Sequence, residues 1–578
     1  MNLLLLSLAA TTGLVDALHP RARASLASVD LQTWDAFNQS VGGRLRDGKP
    51  MLAPCYTTYN GQEQNVEWGS CLSNGESCTF ELTDADSLAN RACDQGSVPF
   101  KYVDAQNVGD VQETLSFAMA NNLHLVIKNT GHDFTGRSAG PDSLGLWTHN
   151  FQPPIELEQG FMPDGCSEAT GDVITFGAGQ QFSGIYKFAH EHGYRVVGGS
   201  SDSVGAAGGW ITGGGHGLLS NELGLGVDNV QQLRAVLPNG TYVTANRCQN
   251  QDIFFALRGG GGGTFGVVTE MSTLVHPDKP MVSIATEFTG LSAADATEFM
   301  SILVENTDKW VSEGWAGYVQ LGAGENVASS YIMATSMIDQ TAAETSMKPV
   351  LDFAQRLEIP AAVSTTSYFD LITQVSFAVD SAAVGGYGLA MASRIIPRES
   401  FQGATNQQKL SSILNDVLLA AQADLEDPNS ISQFAPIFIC SVAPTLYSQN
   451  LPESDQPGGP GASAVTPAWR TGIWHFMRVH RFKPTTTDPD TVRDIFQDTH
   501  DVMNPLREFT PNAGAYQNEG DTFEADPIGS FWGEENYARL LKIKKEVDPT
   551  NLLSVHNGVG WDSEDERFRC YPEVETSA

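Results

Sequence analysis

Three glycine-rich segments constrain the fold of this 578-residue chain more than any other feature. The first glycine segment is residues 128–136 (KNTGHDFTG), the second is residues 198–217 (GGSSDSVGAAGGWITGGGHG) and the third is residues 258–266 (RGGGGGTFG). Residues without side chains cannot fill an ordinary core, so the backbone of these segments must approach something closely. Because glycines expose backbone N–H groups, such segments can cradle a pyrophosphate, and they indicate a phosphate-bearing ligand.

The residues around these segments predict their place at the ends of strands. Between Val98 and Ile127 an extended start, a helix and the apolar run LHLVI form a strand–helix–strand unit. The apolar face of this helix is predicted to contain Val111, Leu115, Ala118 and Met119. The first glycine segment then follows the carboxyl end of a strand, where α/β proteins usually bind phosphates. The third follows a helix-like run, IFFAL, and precedes a predicted strand, VVTEMSTLV.

Several classes of function are excluded by what the sequence lacks. It contains no Walker signature and no clean G-x-G-x-x-G with an acid about 20 residues on, so the usual nucleotide-binding folds do not account for the glycines. The formal charge of −35 argues against a nucleic-acid partner, because a phosphate backbone would be repelled. Beyond the N-terminus no stretch approaches the roughly 20 apolar residues of a membrane span.

The N-terminus and the cysteines indicate an oxidising compartment. Residues 1–17 are predicted to be a secretory signal peptide, and the alternative is a buried N-terminal helix. Eight cysteines are present, and Cys55, Cys71, Cys78 and Cys93 lie close together without the paired spacing of a zinc site. We therefore expect disulfides, no metal, and glycosylation at the sequons of Asn38 and Asn239.

Four segments, at residues 128–140, 198–229, 252–277 and 516–553, together resemble the berberine-bridge-enzyme-like branch of the vanillyl-alcohol-oxidase type FAD-linked oxidases. The resemblance implies a secreted, fungal α+β protein. Its FAD-binding domain would form from N- and C-terminal segments, with an inserted substrate domain of antiparallel sheet backed by helices. The implied boundaries are residues 18–276 for the N-terminal part of the FAD-binding domain, 277–507 for the substrate domain and 508–578 for the C-terminal return.

The same resemblance implies which residues bind FAD. His132 occupies the place of the family's covalently linked histidine. Ser201 stands where many relatives have a second linking cysteine, so a single covalent link is expected. The other implied cofactor-binding residues are Lys128, Asn129, Thr130, Gly131, Asp133, Val204, Gly205, Gly208, Gly209, Gly213, Gly214, His216, Gly217, Val267 and Asn518.

The candidates for proton handling are Tyr516 and Glu519, which follow each other closely in the C-terminal segment. A purely structural role is an equal alternative for both. His216 is expected near the flavin or the substrate, or else only to pack. In the run TGIWHFMRVHRF, the residues Trp474, His475 and His480 either line the substrate side or have ordinary core and surface roles.

The expected chemistry is hydride transfer from an alcohol-type small molecule to FAD, with molecular oxygen as acceptor and hydrogen peroxide as product. Alternatives are an extracellular oligosaccharide oxidase, a tailoring oxidase or cyclase of secondary metabolism, and a flavin-binding protein without turnover. We expect a monomer with no nucleic-acid or membrane partner.

Overall fold

The computed structural model describes residues 23–50, 69–78, 93–382 and 387–572. The predicted signal peptide and Cys55 lie outside the described residues. Among the described helices, none has the length and apolar character that a bilayer crossing requires.

A four-stranded sheet near the N-terminus carries the predicted strand–helix–strand unit. Its strands are β1 (Leu45–Asp47), β2 (Lys101–Asp104), β3 (His124–Lys128) and β4 (Ser143–Trp147). They lie in the order β1-β2-β4-β3, with β4 parallel to both β2 and β3. Helix α2 (Val108–Ala120) connects β2 to β3 and begins where the Asn107 side chain accepts a hydrogen bond from the Asp110 N–H. The prediction of this unit is confirmed.

The apolar face of α2 is predicted correctly except at its edge. Val111, Leu115 and Ala118 are fully buried against α1 (Leu31–Ser40) and the sheet. Met119 is 39% exposed, because it lies at the edge of the stripe that the other three residues form.

A second, antiparallel sheet of five strands follows in the chain. Its strands are β5 (Glu156–Phe161), β6 (Gly171–Gly177), β8 (Val230–Val236), β9 (Tyr242–Asn246) and β10 (Val267–Leu274), in the order β5-β6-β10-β8-β9. The short strands β7 (Tyr194–Arg195) and β11 (His276–Pro277) pair with each other. The second glycine segment lies between β7 and β8, and the third lies between helix α7 (Gln251–Leu257) and β10.

A third sheet contains seven antiparallel strands. They are β12 (Met281–Thr289), β13 (Ala316–Leu321), β14 (Ala328–Thr335), β15 (Val363–Thr366), β16 (Gly388–Pro397), β17 (Ile437–Ser441) and β18 (Gly472–Phe482). Their order is β15-β12-β14-β13-β17-β18-β16. An antiparallel sheet in this part of the chain was the expected substrate domain, and its exact boundaries stay a prediction.

The remaining helices cover the sheets or follow them in the chain. They are α3 (Phe182–Glu191), α4 (Ile211–Gly213), α5 (Ser220–Leu223), α6 (Gly226–Asn229), α7 (Gln251–Leu257), α8 (Ala293–Ser312), α9 (Gln340–Ser346), α10 (Lys348–Arg356), α11 (Tyr368–Ala382), α12 (Ala404–Ala423), α13 (Thr445–Gln449), α14 (Ala468–Thr471), α15 (Pro489–Asp501), α16 (Asn504–Phe509), α17 (Pro527–Phe531) and α18 (Glu534–Val547).

The two faces of the seven-stranded sheet pack against different parts of the molecule. Along β18 the side chains of Trp474 and Phe476 join a core with α8, α10 and α12. Met477 and Val479 instead join the core that contains the five-stranded sheet, the second glycine segment and α18. We call the face that carries Met477 and Val479 the cavity face, because it lines the cavity described below. Because successive side chains of a strand point to opposite faces of the sheet, alternate residues of β18 belong to two different cores.

Three disulfides join described cysteines. Cys78 pairs with Cys93, Cys166 with Cys248, and Cys71 with Cys570. Cys440 is free and buried. The prediction of disulfides among the clustered cysteines is confirmed for Cys78 and Cys93, whereas Cys71 reaches across the molecule to the C-terminal segment.

Candidate active site

The first glycine segment makes a tight turn after β3 that a side chain at Gly131 would strain. Gly131 has φ +100°, and a Cβ there would lie 2.8 Å from Cε of Lys128. Asp133 holds the turn by accepting hydrogen bonds from the Thr135 N–H (3.1 Å) and from both the N–H and the hydroxyl of Ser138 (2.7 Å each). The adjacent His132 therefore has a fixed backbone position.

The second glycine segment packs directly on the first. A Cβ at Gly205 would lie 1.7 Å from Oδ1 of Asn129, and one at Gly208 would lie 2.8 Å from its Cβ. Asn129 is held in turn by donating hydrogen bonds to Thr148 Oγ1 (3.0 Å) and to the carbonyl of Ala178 (2.6 Å). Glycine is required at these two positions because the segments touch there.

His132 is partly buried where these two segments meet. Its Nε2 lies 2.8 Å from Oγ of Ser203, and the Ser203 hydroxyl lies 3.1 Å from that of Ser201. Burial lowers the pKa of His132 to about 4, so its imidazole is neutral above that pH. A neutral imidazole carries the nitrogen lone pair that a covalent bond to carbon requires.

The C-terminal segment returns to the glycine segments. Gln517 Nε2 donates to the Gly259 carbonyl (2.7 Å), and Asn518 Nδ2 donates to the Gly209 carbonyl (2.8 Å). Asn518 Nδ2 also donates to the hydroxyl oxygen of Tyr516 (2.9 Å). Burial raises the pKa of Tyr516 further above its usual value, so its hydroxyl stays protonated.

A single cavity collects most of the predicted site residues. Those that line it are Asn129, Thr130, Gly131, His132, Asp133, Ser201, Val204, Gly205, Gly208, Gly209, His216, Val267, Tyr516, Asn518 and Glu519. Four predicted residues do not line it, namely Lys128, Gly213, Gly214 and Gly217. Gly213 and Gly217 instead allow close packing, because a Cβ would lie 2.3 Å from Asn518 Nδ2 and 1.8 Å from the Gly198 carbonyl, respectively.

Two observations show that this cavity fits FAD. A Cβ built on Gly209 meets no atom within 4 Å, so the backbone there is bare toward the cavity. The buried guanidinium of Arg137 also lines the cavity and forms no ion pair with any described carboxylate. Its Nη1 donates to Gln517 Oε1 (2.8 Å), while its buried Nε has no partner in the described part of the chain. Bare backbone and one unpaired buried cation suit an anionic dinucleotide.

The cavity face of the seven-stranded sheet closes the other side of the cavity. Its lining side chains are Gln320, Leu389, Met391, Phe438, Met477, Val479 and Arg481, joined by Tyr387 just before β16. Most of these side chains are apolar. The wall that a substrate would contact therefore offers few hydrogen-bonding groups.

A carboxylate and two imidazoles meet between the glycine segments and the cavity face. His475 Nε2 donates to Oε2 of Glu519 (2.6 Å), and His216 Nε2 lies 3.4 Å from the same oxygen. Burial opposes the charge of Glu519, but the charge of His216 and hydrogen bonds from both imidazoles hold the pKa of Glu519 well below its usual range. Burial lowers the pKa of His475, so this imidazole is neutral.

The structure separates the three candidates on β18. His475 lies at Glu519, whereas Trp474 packs against Phe401 on the helix side of the sheet with ring centroids 4.8 Å apart. His480 Nε2 forms a 2.7 Å hydrogen bond with the Ser430 hydroxyl and does not line the cavity. Trp474 and His480 therefore have the ordinary packing roles that were their alternative.

Comparison with known proteins places the chain among flavoproteins. The family profile described as "FAD binding domain" matches residues 99–246, and "Berberine and berberine like" matches residues 515–560. An FAD-linked oxidoreductase of Aspergillus flavipes is 32% identical, over 94% of this chain and 94% of its own length. The chain belongs to the berberine-bridge-enzyme-like branch of the vanillyl-alcohol-oxidase type FAD-linked oxidases. It is an FAD-linked oxidoreductase.

Solved structures of this type share the fold. The VAO-type flavoprotein MtVAO713 of Myceliophthora thermophila C1 is 26% identical with a TM-score of 0.75, covering 94% of this chain and 97% of its own. A chitooligosaccharide oxidase is 15% identical with a TM-score of 0.60, covering 91% and 99%, and shows similarity of fold alone. The α+β fold expected from the resemblance is thus confirmed.

Two residues of this flavoprotein site, Arg137 and Ser203, are not predicted from the sequence. Arg137 lies only five positions after His132, but nothing in the sequence shows that it is buried without a carboxylate partner. Ser203 was part of the stretch that lacks the second cysteine, yet its hydrogen bond to His132 depends on how two distant loops pack. An arginine close after the histidine was the one available signal.

Proposed function

We propose that the protein is a secreted FAD-dependent oxidase that removes hydride from an alcohol-type small molecule, with oxygen as acceptor and hydrogen peroxide as product. The observation that carries this proposal is that one cavity is lined by His132, by the bare backbone of Gly209 and by Glu519. When bound, FAD would accept the hydride and pass two electrons to oxygen. The chain supplies position, a proton acceptor and exclusion of water.

His132 is the proposed covalent attachment point, through a single link. Its neutral imidazole and its hydrogen bond to Ser203 support this role. Ser201 cannot form the thioether of a second link. Backbone of the second glycine segment and the guanidinium of Arg137 would hold the anionic part of the cofactor.

Glu519 and Tyr516 are the proposed proton-handling residues. The ionised carboxylate of Glu519 accepts the hydroxyl proton of the substrate, whereas Tyr516, whose pKa is raised, donates a hydrogen bond. Orientation of the alcohol between these groups and the cavity face brings its C–H bond towards the cofactor side of the cavity.

The apolar cavity face favours a substrate with an apolar body. Leu389, Met391, Phe438, Met477 and Val479 would leave the hydroxyls of a sugar chain without partners. This supports a small-molecule alcohol or a tailoring reaction of secondary metabolism over an oligosaccharide. The oligosaccharide oxidase remains the second candidate, because the chitooligosaccharide oxidase shares the fold.

Secretion is supported by the three disulfides. Of the two sequons, Asn239 is exposed in the turn between β8 and β9, where a glycan can be attached. Asn38 lies within α1, and its side-chain oxygen accepts a hydrogen bond from the Leu45 N–H (3.2 Å). Asn239 is therefore the proposed glycosylation site.

The first test is acid denaturation of the purified protein, followed by absorbance and fluorescence of the pellet. We expect flavin to pellet with the wild-type polypeptide and with the exposed-histidine control His190→Ala, and to stay in solution with His132→Ala. Free flavin from the wild type would contradict the covalent link, and absence of flavin would contradict the whole proposal.

The second test is anaerobic mixing with panels of apolar alcohols and of oligosaccharides. We expect alcohols to bleach the flavin and to yield peroxide when air is admitted. Bleaching by oligosaccharides alone would favour the second candidate. A flavin that no member of either panel bleaches would indicate a binding protein without turnover.

A further inference from the structure

The two oxygens of the Glu519 carboxylate have different surroundings. Both imidazoles of the cluster, His216 and His475, contact Oε2. Oε1 forms no hydrogen bond with any residue that the structure describes, and Glu519 lines the cavity. One oxygen is thus held by the protein, while the other is available to a ligand.

Each member of the cluster comes from a different part of the chain. His216 is the penultimate residue of the second glycine segment, His475 lies on the cavity face of β18, and Glu519 follows Tyr516 in the C-terminal segment. Their side chains are 10%, 0% and 18% exposed, respectively. A cofactor-side loop, the substrate-side sheet and the C-terminal segment therefore meet at one carboxylate.

Aromatic rings fix the orientation of the two imidazoles. The Trp469 ring lies 5.9 Å from both His216 and His475, measured between centroids. Tyr516 contacts the same two imidazoles edge to face, at 5.1 Å and 5.7 Å. Side chains enclosed in this way keep one rotamer, so the hydrogen bonds to Oε2 are preorganised.

We propose that Oε1 of Glu519 accepts the proton of the substrate hydroxyl, and that His475, together with His216, is a positioning residue that keeps Glu519 ionised and aims Oε1 into the cavity. This inference rests on the proposed oxidase function. In the step, the O–H bond breaks and its proton bonds to Oε1. The electron pair left on oxygen forms the C=O bond as hydride leaves the carbon for FAD, so one alcohol becomes one carbonyl compound.

His475 is suited to positioning and not to accepting the proton itself. It is wholly buried, does not line the cavity, and donates its Nε2 hydrogen to Glu519. Its Nδ1 is buried and has no partner among the described residues, so protonation there would leave a buried N–H unpaired. The neutral imidazole of His475 with its hydrogen on Nε2 is the state that donates a hydrogen bond to the Glu519 carboxylate.

The other groups that face Glu519 stay uncharged. They are Tyr516 in its own turn, Tyr318 on β13 and Cys440 on β17, and burial raises the pKa of each above its usual value. His216 from the second glycine segment and His475 from β18 are the imidazoles on this carboxylate. Loss of the His475 hydrogen bond should therefore raise the pKa of Glu519, so that the base is protonated at a higher pH than in the wild type.

The test compares His475→Leu, which removes the donor, with His475→Gln, which keeps an N–H at similar reach. Glu519→Gln removes the carboxylate, and His480→Leu is a control at another buried histidine of β18. The flavin absorption spectrum is titrated between about pH 3 and pH 8, where carboxyl groups and imidazoles ionise. The pH dependence of anaerobic bleaching by an alcohol is measured on the same proteins.

We expect the acid transition of the wild type to lie at or below the low end of this range, because the pKa of Glu519 is well below its usual value, and we expect Glu519→Gln to abolish it. In His475→Leu the spectral transition and the acid limb of bleaching should both move upward by about one pH unit, and His475→Gln should restore them. His480→Leu should match the wild type. If His475→Leu leaves both transitions in place, the positioning role is overturned.

Other outcomes separate this inference from the proposed function. A spectral transition that depends on His475, in a protein whose flavin no alcohol bleaches, would contradict the oxidase while supporting the effect of His475 on the charge of Glu519. A stoichiometric metal ion found by elemental analysis, whose removal shifts the transition, would overturn the inference in favour of a metal site at these three residues. Absence of flavin would overturn both.

Discussion

Gly209 shows how much one missing side chain contributes to this site. Its carbonyl is fixed by Asn518, and its Cα faces open space on the cavity side. Gly205 and Gly208 are different, because side chains there would collide with Asn129 inside the protein. Substitution at Gly209 should therefore affect the cofactor without unfolding the chain.

We expect Gly209→Leu to lower the flavin-to-protein absorbance ratio about tenfold, since a steric conflict of about 1.4 kcal/mol corresponds to that loss of affinity. The melting temperature of the apoprotein should stay unchanged. Gly184→Leu, at an exposed position of α3, is the matched control and should keep its flavin. Full flavin content in Gly209→Leu would mean that the cofactor does not approach this backbone.

The sequence predicts residues of this site where the signal is local. The three glycine segments are recognisable because tight turns and close backbone approach demand glycine, whereas His132 is assigned through the family resemblance. Arg137, Ser203 and the choice of His475 over Trp474 and His480 depend on burial, on the packing of distant loops and on which strand face meets the cavity. No short stretch of sequence encodes those relations.

At the scale of elements, helix α18 carries an unexpected buried charge. Glu534 and Glu535 lie in its first turn and Lys544 and Lys545 in its last, where they complement the helix dipole. Lys544, however, is fully buried and pairs with Asp548 (2.6 Å) while it donates to the Thr264 carbonyl (2.8 Å). This lysine ties the helix to the third glycine segment.

We expect Lys544→Met to lower the free energy of unfolding by about 3–5 kcal/mol, because it leaves the Asp548 carboxylate buried without its cation. Lys542→Met, at an exposed position of the same helix, should change it by less than about 0.5 kcal/mol. Denaturant unfolding followed by tryptophan fluorescence measures both. Equal stability of the two variants would show that this pair contributes nothing.

For the whole molecule, the disulfide between Cys71 and Cys570 joins residues 499 positions apart in the sequence. The adjacent Tyr571 donates a hydrogen bond to the Thr135 carbonyl in the first glycine segment (2.8 Å) and stacks on His556. This disulfide therefore anchors the C-terminal segment beside the loop that carries His132.

We expect the double variant Cys71→Ser/Cys570→Ser to lose about 2–5 kcal/mol of stability. The variant Cys78→Ser/Cys93→Ser should lose less, because that bridge spans 15 positions and restricts the unfolded chain less. Thermal unfolding without reductant compares them. A larger loss from the short bridge would contradict this ranking.

The sequence also predicts the general architecture better than its topology. The strand-like runs SIATEFTG and AGYVQLGA form β12 and β13, and the antiparallel arrangement of their sheet is what the family resemblance implies. The pairing order of seven strands is set by contacts between residues far apart in the chain, such as Gly388 with Phe482. Strand periodicity identifies which residues share a face but not which strands become neighbours.

The cavity is completed by Tyr516, Asn518 and Glu519, which follow most of the chain in order of synthesis. A nascent polypeptide can form the first two sheets while these residues are still inside the ribosome. It cannot close the walls around the cofactor until nearly the last residue has emerged. We therefore expect FAD to be enclosed only after the C-terminal segment has been synthesised, and a chain that ends before Tyr516 to lack its flavin.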